Sequence, residues 1–314
     1  MELLKLKPVY KEMIWGGDKI QTLYHLPIPS DHTGEAWVVS AHPNGDGLIE
    51  NGEFAGQALS QVYRENRALF GKGSNLTFPL LIKIIDAKQD LSVQVHPDDE
   101  YALSHENSYG KTEFWYVLDC PSQTKMVVGH HLTSKEEYRA LINSGNLEPK
   151  LNRFDIKKGD YFYIPAKTLH AICANSLIYE VQQNSDITYR VYDYNRKDPS
   201  GKQRELHIDK AIDVTQIPYK AYQSESRITK SESLILTELV NESFFSVTKA
   251  ECFGSSTFVI DDEFVIVGCV EGEVKVNELV LKASEHCLVL NSVRTLHLDG
   301  NGTLMISAPK AALL

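Results

Sequence analysis

The sequence predicts a mainly β protein made of two β-sandwich units, the first decorated with a few helices. Short apolar runs with period-two alternation recur along the chain, separated by turn residues. Segments with helical spacing are few. A polar stretch over residues 195–231 interrupts the strands and divides the chain into residues 1–225 and residues 226–314.

The first unit contributes "EAWVVSAH", "LLIKIID", "LSVQVH", "TEFWYVLD", "TKMVVGHH", "YFYIPA", "SLIYEVQQ" and "ITYRVYDY" as strands. Helical spacing runs over 58–71 and ends on Gly71, and "DDEYALSHE" reads as a short helix. "TSKEEYRALI" opens with the pattern of a capping box, Thr133 to Glu136. Within the polar stretch "HIDKAI" reads as a single helical turn. The second unit is again strand after strand: "FFSVTKAEC", "FVIVGCVEGEVKV", "ELVLKA", "HCLVLNS" and "TLMISA".

With 314 residues, 42% of them hydrophobic, the chain can bury two ordinary cores. It has no apolar run near the roughly 18 residues a membrane span needs, and its first residues lack the apolar region of a signal peptide, so a cytoplasmic location is expected. The five cysteines are widely spaced with no C-x-x-C pair, which points to reduced thiols rather than to disulfides or a thiolate metal site. A net charge of −10 argues against a nucleic-acid partner. It does not exclude an anionic small substrate, because a few convergent cations act locally. Nothing in the chain fixes an oligomeric state.

Two neighbouring segments carry polar residues that a half-buried strand does not need. In "LSVQVH", Ser92, Gln94 and His96 share one face and Leu91, Val93 and Val95 the other. In "KTEFWYVL", Lys111 and Glu113 share a face, and the apolar neighbours Phe114, Trp115 and Tyr116 make an unpaired carboxylate expensive. A third segment, "GDYFYIPAKTLHAI", brings His170. Two imidazoles from distant segments, one carboxylate and one amide suit a metal with open positions, the logic of catalytic rather than structural zinc. Two histidines and a carboxylate can also hold Fe(II), although a neutral glutamine makes the set less iron-like. Lys111, on the face of Glu113, is expected to contact a phosphate or a hydroxyl.

"GDYFYIPAKTLH" resembles the second motif of the cupins, with Gly159, Pro165 and His170 in the matching places; Lys167 stands where that motif usually has glycine. Read together, "IWGG" (14–17), "GEAWVVSAHP" (34–43), "LLIKIIDAKQDLSVQVHPDD" (80–99), "KTEFWYVL" (111–118), "IPAKTLHAI" (164–172) and "QNSDITYRVYDYNR" (183–196) resemble the type I mannose-6-phosphate isomerases in their short bacterial form.

The resemblance implies two cupin-type (jelly-roll) units and a zinc enzyme that interconverts mannose 6-phosphate and fructose 6-phosphate through a cis-enediol. It implies one Zn2+ per chain held by Gln94, His96, Glu113 and His170. Ser92, Lys111 and Glu180 would line the sugar-phosphate pocket, and Arg190 would be the catalytic arginine. An Fe(II) cupin dioxygenase and a non-catalytic sugar-binding cupin are the competing readings; the first leaves Lys111 and Arg190 unexplained, and the intact ligand set and Arg190 argue against the second. The second unit is expected to carry no metal, and His42, His130, His131 and His297 to be structural or exposed.

Overall fold

In the computed structural model, residues 2–313 other than Pro199 and Ser224 are described. The molecule is mainly β and its paired strands run antiparallel. Packing groups the chain into two units, each discontinuous in sequence. One contains Tyr10–Glu35 and Ile84–Gln223; the other contains Met1–Val9, Ala36–Lys83 and Ser224–Leu314.

The first of these units holds a five-stranded sheet in the order Leu151–Asp155, Lys125–His130, His170–Ile172, Val93–Val95, Tyr189–Tyr192. A six-stranded sheet runs in the order Tyr161–Ile164, Glu113–Asp119, Ser176–Gln183, Leu80–Ala87, Thr33–Val39, Val9–Gly17. Trp115, Val117, Ile164 and Ile178 of the longer sheet pack in one core with Met126, Val128 and Ile172 of the shorter. The far side of the shorter sheet is apolar too. There Val93, Val95, Ala171, Tyr189 and Val191 are covered by Tyr138, Ala211, Ile212 and Val214 from the helices Lys135–Asn143 and Ile208–Val214. The added helices thus bury the valine face of "LSVQVH", and its polar face turns into the sandwich.

The other unit is dominated by a ten-stranded sheet. Arg227–Lys230, Leu234–Asn241, Phe245–Phe253, Thr295–Pro309, Val265–Val276 and His286–Val289 follow in order. The order continues through Leu3–Lys7, whose Leu3, Leu4 and Lys5 face Val289, Leu288 and Cys287, to Leu48–Ile49. Val265, Val267, Cys269, Cys287, Val289, Leu304 and Ile306 form its core. Tyr63, Phe70, Phe78 and Phe264 pack edge-to-face or tilted beside them, with centroids 4.9–6.5 Å apart.

Three local expectations are corrected. The segment 58–71 forms a helix over Leu59–Glu65 and a 3-10 turn over Arg67–Leu69 rather than one helix, stopping at Gly71 with φ +117°. The capping residue of Lys135–Asn143 is Ser134, not Thr133: its hydroxyl accepts from Glu137 N at 3.1 Å, and the Glu137 carboxylate accepts from Thr133 N at 2.7 Å. The cap slides by one residue because Thr133-x-x-Glu136 and Ser134-x-x-Glu137 satisfy the same pattern. "HIDKAI" extends to the seven-residue helix Ile208–Val214.

Among the described residues, no helix is long and apolar enough to cross a membrane. All five cysteines are free thiols; burial raises Cys173 and Cys252 to about 11 and Cys269 and Cys287 to about 12.

Candidate metal centre

The site is built on the inner faces of the two sheets. Val93–Val95 lies between His170–Ile172 and Tyr189–Tyr192, so Gln94 sits directly opposite both His170 and Arg190. Residues opposite one another in antiparallel strands share a face, so these three side chains leave the sheet together. His96 follows the strand by one residue and keeps the parity of Gln94. In the other sheet Glu113 opposes Gln182 and Trp115 opposes Glu180, which gives that sheet a second inward row of polar groups.

The ligand atoms of His96, Glu113 and His170 lie within 4.8 Å of one another, and each of these residues is about 1% exposed. His96 Nε2 is 3.1 Å from Glu113 Oε1, and His170 Nε2 is 3.7 Å from Glu113 Oε2. Lys111 Nζ lies 2.8 Å from Glu113 Oε1 and 3.4 Å from His96 Nε2. Gln94 Nε2 is 3.4 Å from His170 Nε2, and Gln94 Oε1 accepts from the Ser92 hydroxyl at 3.0 Å.

The far nitrogen of each histidine fixes its tautomer. His96 Nδ1 meets the Ile187 carbonyl at 2.6 Å, and His170 Nδ1 meets the Thr168 carbonyl at 2.8 Å. A carbonyl can only accept, so both Nδ1 atoms carry the proton and both Nε2 atoms present lone pairs. Burial reinforces this: it pushes the His96 imidazole down to about 3, helped by the Lys111 ammonium, and it lowers His170. Burial would raise Glu113, but the Lys111 ammonium outweighs it and holds the carboxyl well below the usual range.

Two neutral imidazole lone pairs and an ionised carboxylate therefore point at one small volume. Neither Glu113 oxygen accepts a well-directed hydrogen bond among the described residues, despite the short approach of Lys111. Acceptors facing acceptors in a dry interior are costly unless cations lie among them, and the Lys111 ammonium serves only the side of Glu113 Oε1 and His96, leaving Glu113 Oε2 facing His170 Nε2. The donor set fits a divalent metal, with the two Nδ1–carbonyl contacts as the outer hydrogen bonds that orient metal-binding histidines.

The site residues expected from the sequence fall as follows. His96, Glu113 and His170 converge. Gln94 stands beside His170, with its oxygen turned to Ser92. Lys111 is 4% exposed and touches the carboxylate rather than open solvent. Glu180 is buried and accepts from the Trp115 indole at 3.0 Å, and that ring stands edge-on to His170 at 5.2 Å. Arg190 is half-buried, and its Nε has no hydrogen-bond partner among the described residues. Burial and the nearby Arg204 pull the guanidinium below its usual value. Asp193, three residues after Arg190, is bound by Arg204 at 2.6 and 2.8 Å and by Arg196.

Residues that sequence reasoning missed hold the frame. Gln183 accepts from Thr112 N at 2.9 Å and donates to Asp99 at 3.0 Å, and Asp99 also accepts from Gly110 N at 2.7 Å. This pins the approach to Lys111. Lys167 takes the left-handed conformation at φ +72° although it is not glycine, and Gly159 takes it at φ +93°. The Lys167 N–H donates to the His96 carbonyl at 2.7 Å, its carbonyl accepts from Gln216 N at 2.9 Å, and its ammonium pairs with Asp98. That set of bonds couples the loop before His170 to His96. Trp115 could have been suspected from its parity with Glu113; Gln183 and Asp99 carry no local signal.

Comparisons with known proteins agree over the whole chain. Residues 3–119 match the family model described as phosphomannose isomerase type I, catalytic domain, and residues 235–309 match mannose-6-phosphate isomerase, cupin domain. Mannose-6-phosphate isomerase ManA of Bacillus subtilis is 42% identical over 98% of each chain. The probable mannose-6-phosphate isomerase GmuF of the same organism is 41% identical, covering 98% of this chain and 99% of its own. The crystal structure of the mannose 6-phosphate isomerase from Bacillus subtilis superimposes with a TM-score of 0.95 at 38% identity, over 98% of this chain and 99% of that one.

Proposed function

Because this chain belongs to the type I mannose-6-phosphate isomerases, we propose that it interconverts mannose 6-phosphate and fructose 6-phosphate through a cis-enediol, using one zinc ion held by Gln94, His96, Glu113 and His170. The observation that carries the zinc reading is the convergence of two Nε2 lone pairs on the buried Glu113 carboxylate. The family relationship supports the reaction, and the cytoplasm is where a sugar-phosphate enzyme of this kind would work.

Bound there, zinc would supply Lewis acidity toward the sugar oxygens. Gln94 would join the metal by turning its oxygen away from Ser92, which frees the Ser92 hydroxyl for the substrate. Moving a proton between C1 and C2 builds negative charge on oxygen, and Arg190 opposite Gln94 supplies a permanent positive charge beside that place. Its free Nε leaves donor capacity for substrate. Lys111 and Glu180 are the titratable groups beside the ligands that can hold and return the proton. The phosphate, far from C1 and C2, would contribute binding energy that orients the reacting carbons.

The test is metal analysis of the purified protein together with a coupled isomerase assay. The expected result is about one zinc per chain, loss of activity on chelation and recovery with zinc. Normal turnover of mannose 6-phosphate by fully metal-free protein would sink the reading.

A further inference from the structure

Tyr189–Tyr192 is the edge strand of its sheet. On one side it pairs with Val93–Val95; on the other no strand pairs with it among the described residues. At Arg190 that open edge is closed by one residue. The Arg190 N–H donates to His207 Nδ1 at 3.3 Å, and the His207 N–H donates to the Arg190 carbonyl at 2.8 Å. His207 thus takes both main-chain groups of Arg190, one with its ring and one with its backbone. It also stands at the N-terminal end of the helix Ile208–Val214, where its carbonyl accepts from Ala211 N at 2.8 Å. Ala211 and Ile212 of that helix pack in the core that contains Tyr189 and Val191.

We infer that His207 is a positioning residue, which fixes the backbone of Arg190 and so aims its guanidinium at the reacting oxygens. The inference rests on the proposed role of Arg190. An edge strand held on one side only can shift or bulge, and this strand already has an irregular register between Arg190 and Tyr192. A displacement of about 1 Å at a group that stabilises developing charge costs on the order of a hundredfold in rate. Nothing in the substrate has to touch His207 for its loss to be felt.

The device has a protonation requirement. His207 Nδ1 accepts from Arg190 N, so it must be bare, and the neutral ring carries its proton on Nε2. A second proton would set one N–H against another and place a cation beside Arg190. The charged and titratable groups facing the ring are Arg190 and Tyr189 from the strand, Glu205 before it, Lys210 from its own helix and Glu106 from the end of the helix Asp99–His105. Burial, Arg190 and Lys210 favour the neutral ring; Glu205 and Glu106 oppose them.

Three variants of the full chain, loaded with zinc, test this: His207→Leu, His207→Asn and Arg190→Ala. His207→Leu should lower kcat on the order of tenfold or more, with metal content unchanged and KM for mannose 6-phosphate changed less than kcat. His207→Asn offers a non-titrating oxygen near the place of Nδ1. It should recover several-fold of what the leucine variant loses, and its kcat should fall less steeply toward acid than that of the wild type. Wild-type kcat in folded, zinc-loaded His207→Leu, alongside an inactive Arg190→Ala, overturns the positioning role alone. Wild-type kcat in Arg190→Ala overturns the reading of Arg190 and the inference with it. If the leucine variant does not fold, the pH profile of His207→Asn decides, and an acid limb identical to the wild type overturns the inference.

Discussion

Lys111 Nζ and Glu113 Oε1 are 2.8 Å apart inside the sandwich, with the lysine 4% and the glutamate 1% exposed. This is a buried ion pair one residue removed from being adjacent, on a strand face that also has to accommodate a metal. In metal-free protein Lys111 is the nearest full positive charge to the carboxylate.

The first prediction follows from that pair. In metal-free protein Lys111→Met should cost about 3–5 kcal/mol, because it leaves a buried carboxylate without its cation. Zinc should shrink the deficit by supplying charge of the same sign. Denaturant unfolding of both variants with and without zinc measures it, and equal deficits in the two states would show that Lys111 and the metal do not share Glu113.

His96→Ala and His170→Ala should each lose zinc and activity together, since they approach Glu113 from separate segments of the chain. Gln94→Ala should lose less of both, an amide being the weakest ligand of the four. Metal content per folded chain is the readout; a glutamine variant emptier than either histidine variant would reverse the assignment.

Arg190→Ala should cut turnover by roughly a hundredfold or more while zinc content and KM change little, the pattern of an interaction made in the transition state. Arg190→Lys should rescue poorly, since a point charge does not reproduce the planar fork. With Asp193 bound by Arg204 and Arg196, the melting temperature should hardly move. A large loss of stability with near-normal turnover would make the arginine structural.

His286, in the ten-stranded sheet, is buried, and burial pushes its imidazole down to about 4 while its Nδ1 meets the Ser284 carbonyl at 2.9 Å. An unfolded chain takes up the proton near 6.5. Between those values the unfolded state binds more protons, so stability falls as pH drops from 6.5 toward 4. From pH 7 to pH 5 this residue should account for about 2 kcal/mol of lost stability. Urea unfolding of His286→Leu at both pH values should show that much less acid sensitivity than the wild type; parallel losses would exclude the residue.

Lys167 at φ +72° carries left-handed strain that glycine would not. Lys167→Gly should stay within about 1 kcal/mol of the wild type, relief of strain offsetting the half-exposed pair with Asp98. Lys167→Val should cost about 1–2 kcal/mol more than glycine. A valine variant as stable as glycine would mean that the loop adopts another conformation.

What the sequence revealed followed from periodicity. Two-residue alternation sorted Gln94 and His96 onto one face and Lys111 and Glu113 onto another; the registers then set His170 and Arg190 opposite Gln94. Alternation says nothing about which strands become neighbours, so the meeting of Gln94 with both His170 and Arg190 was legible only through the family resemblance. The Gln183–Asp99 and His207–Arg190 contacts span 84 and 17 residues and rest on one and two hydrogen bonds, which leave no pattern in composition. The strand Leu3–Lys7 went unread because "LLKLK" is too short for either period to stand out, and Arg227–Lys230 because all four of its residues are exposed.

The pairing of Leu3–Lys7 with His286–Val289 also sets an order of events during synthesis. Lys5 and its ion-pair partner Glu285 are 280 positions apart. At a ribosomal pace of roughly 5–20 residues per second, the first strand waits on the order of tens of seconds for its neighbour to be made. Until then its apolar side has no native partner along that edge, and it becomes a candidate client for chaperones or a seed for intermolecular pairing. A nascent chain stalled before residue 286 should therefore be stickier than its completed strands suggest, and removing residues 2–7 should relieve that stickiness while weakening the finished sheet.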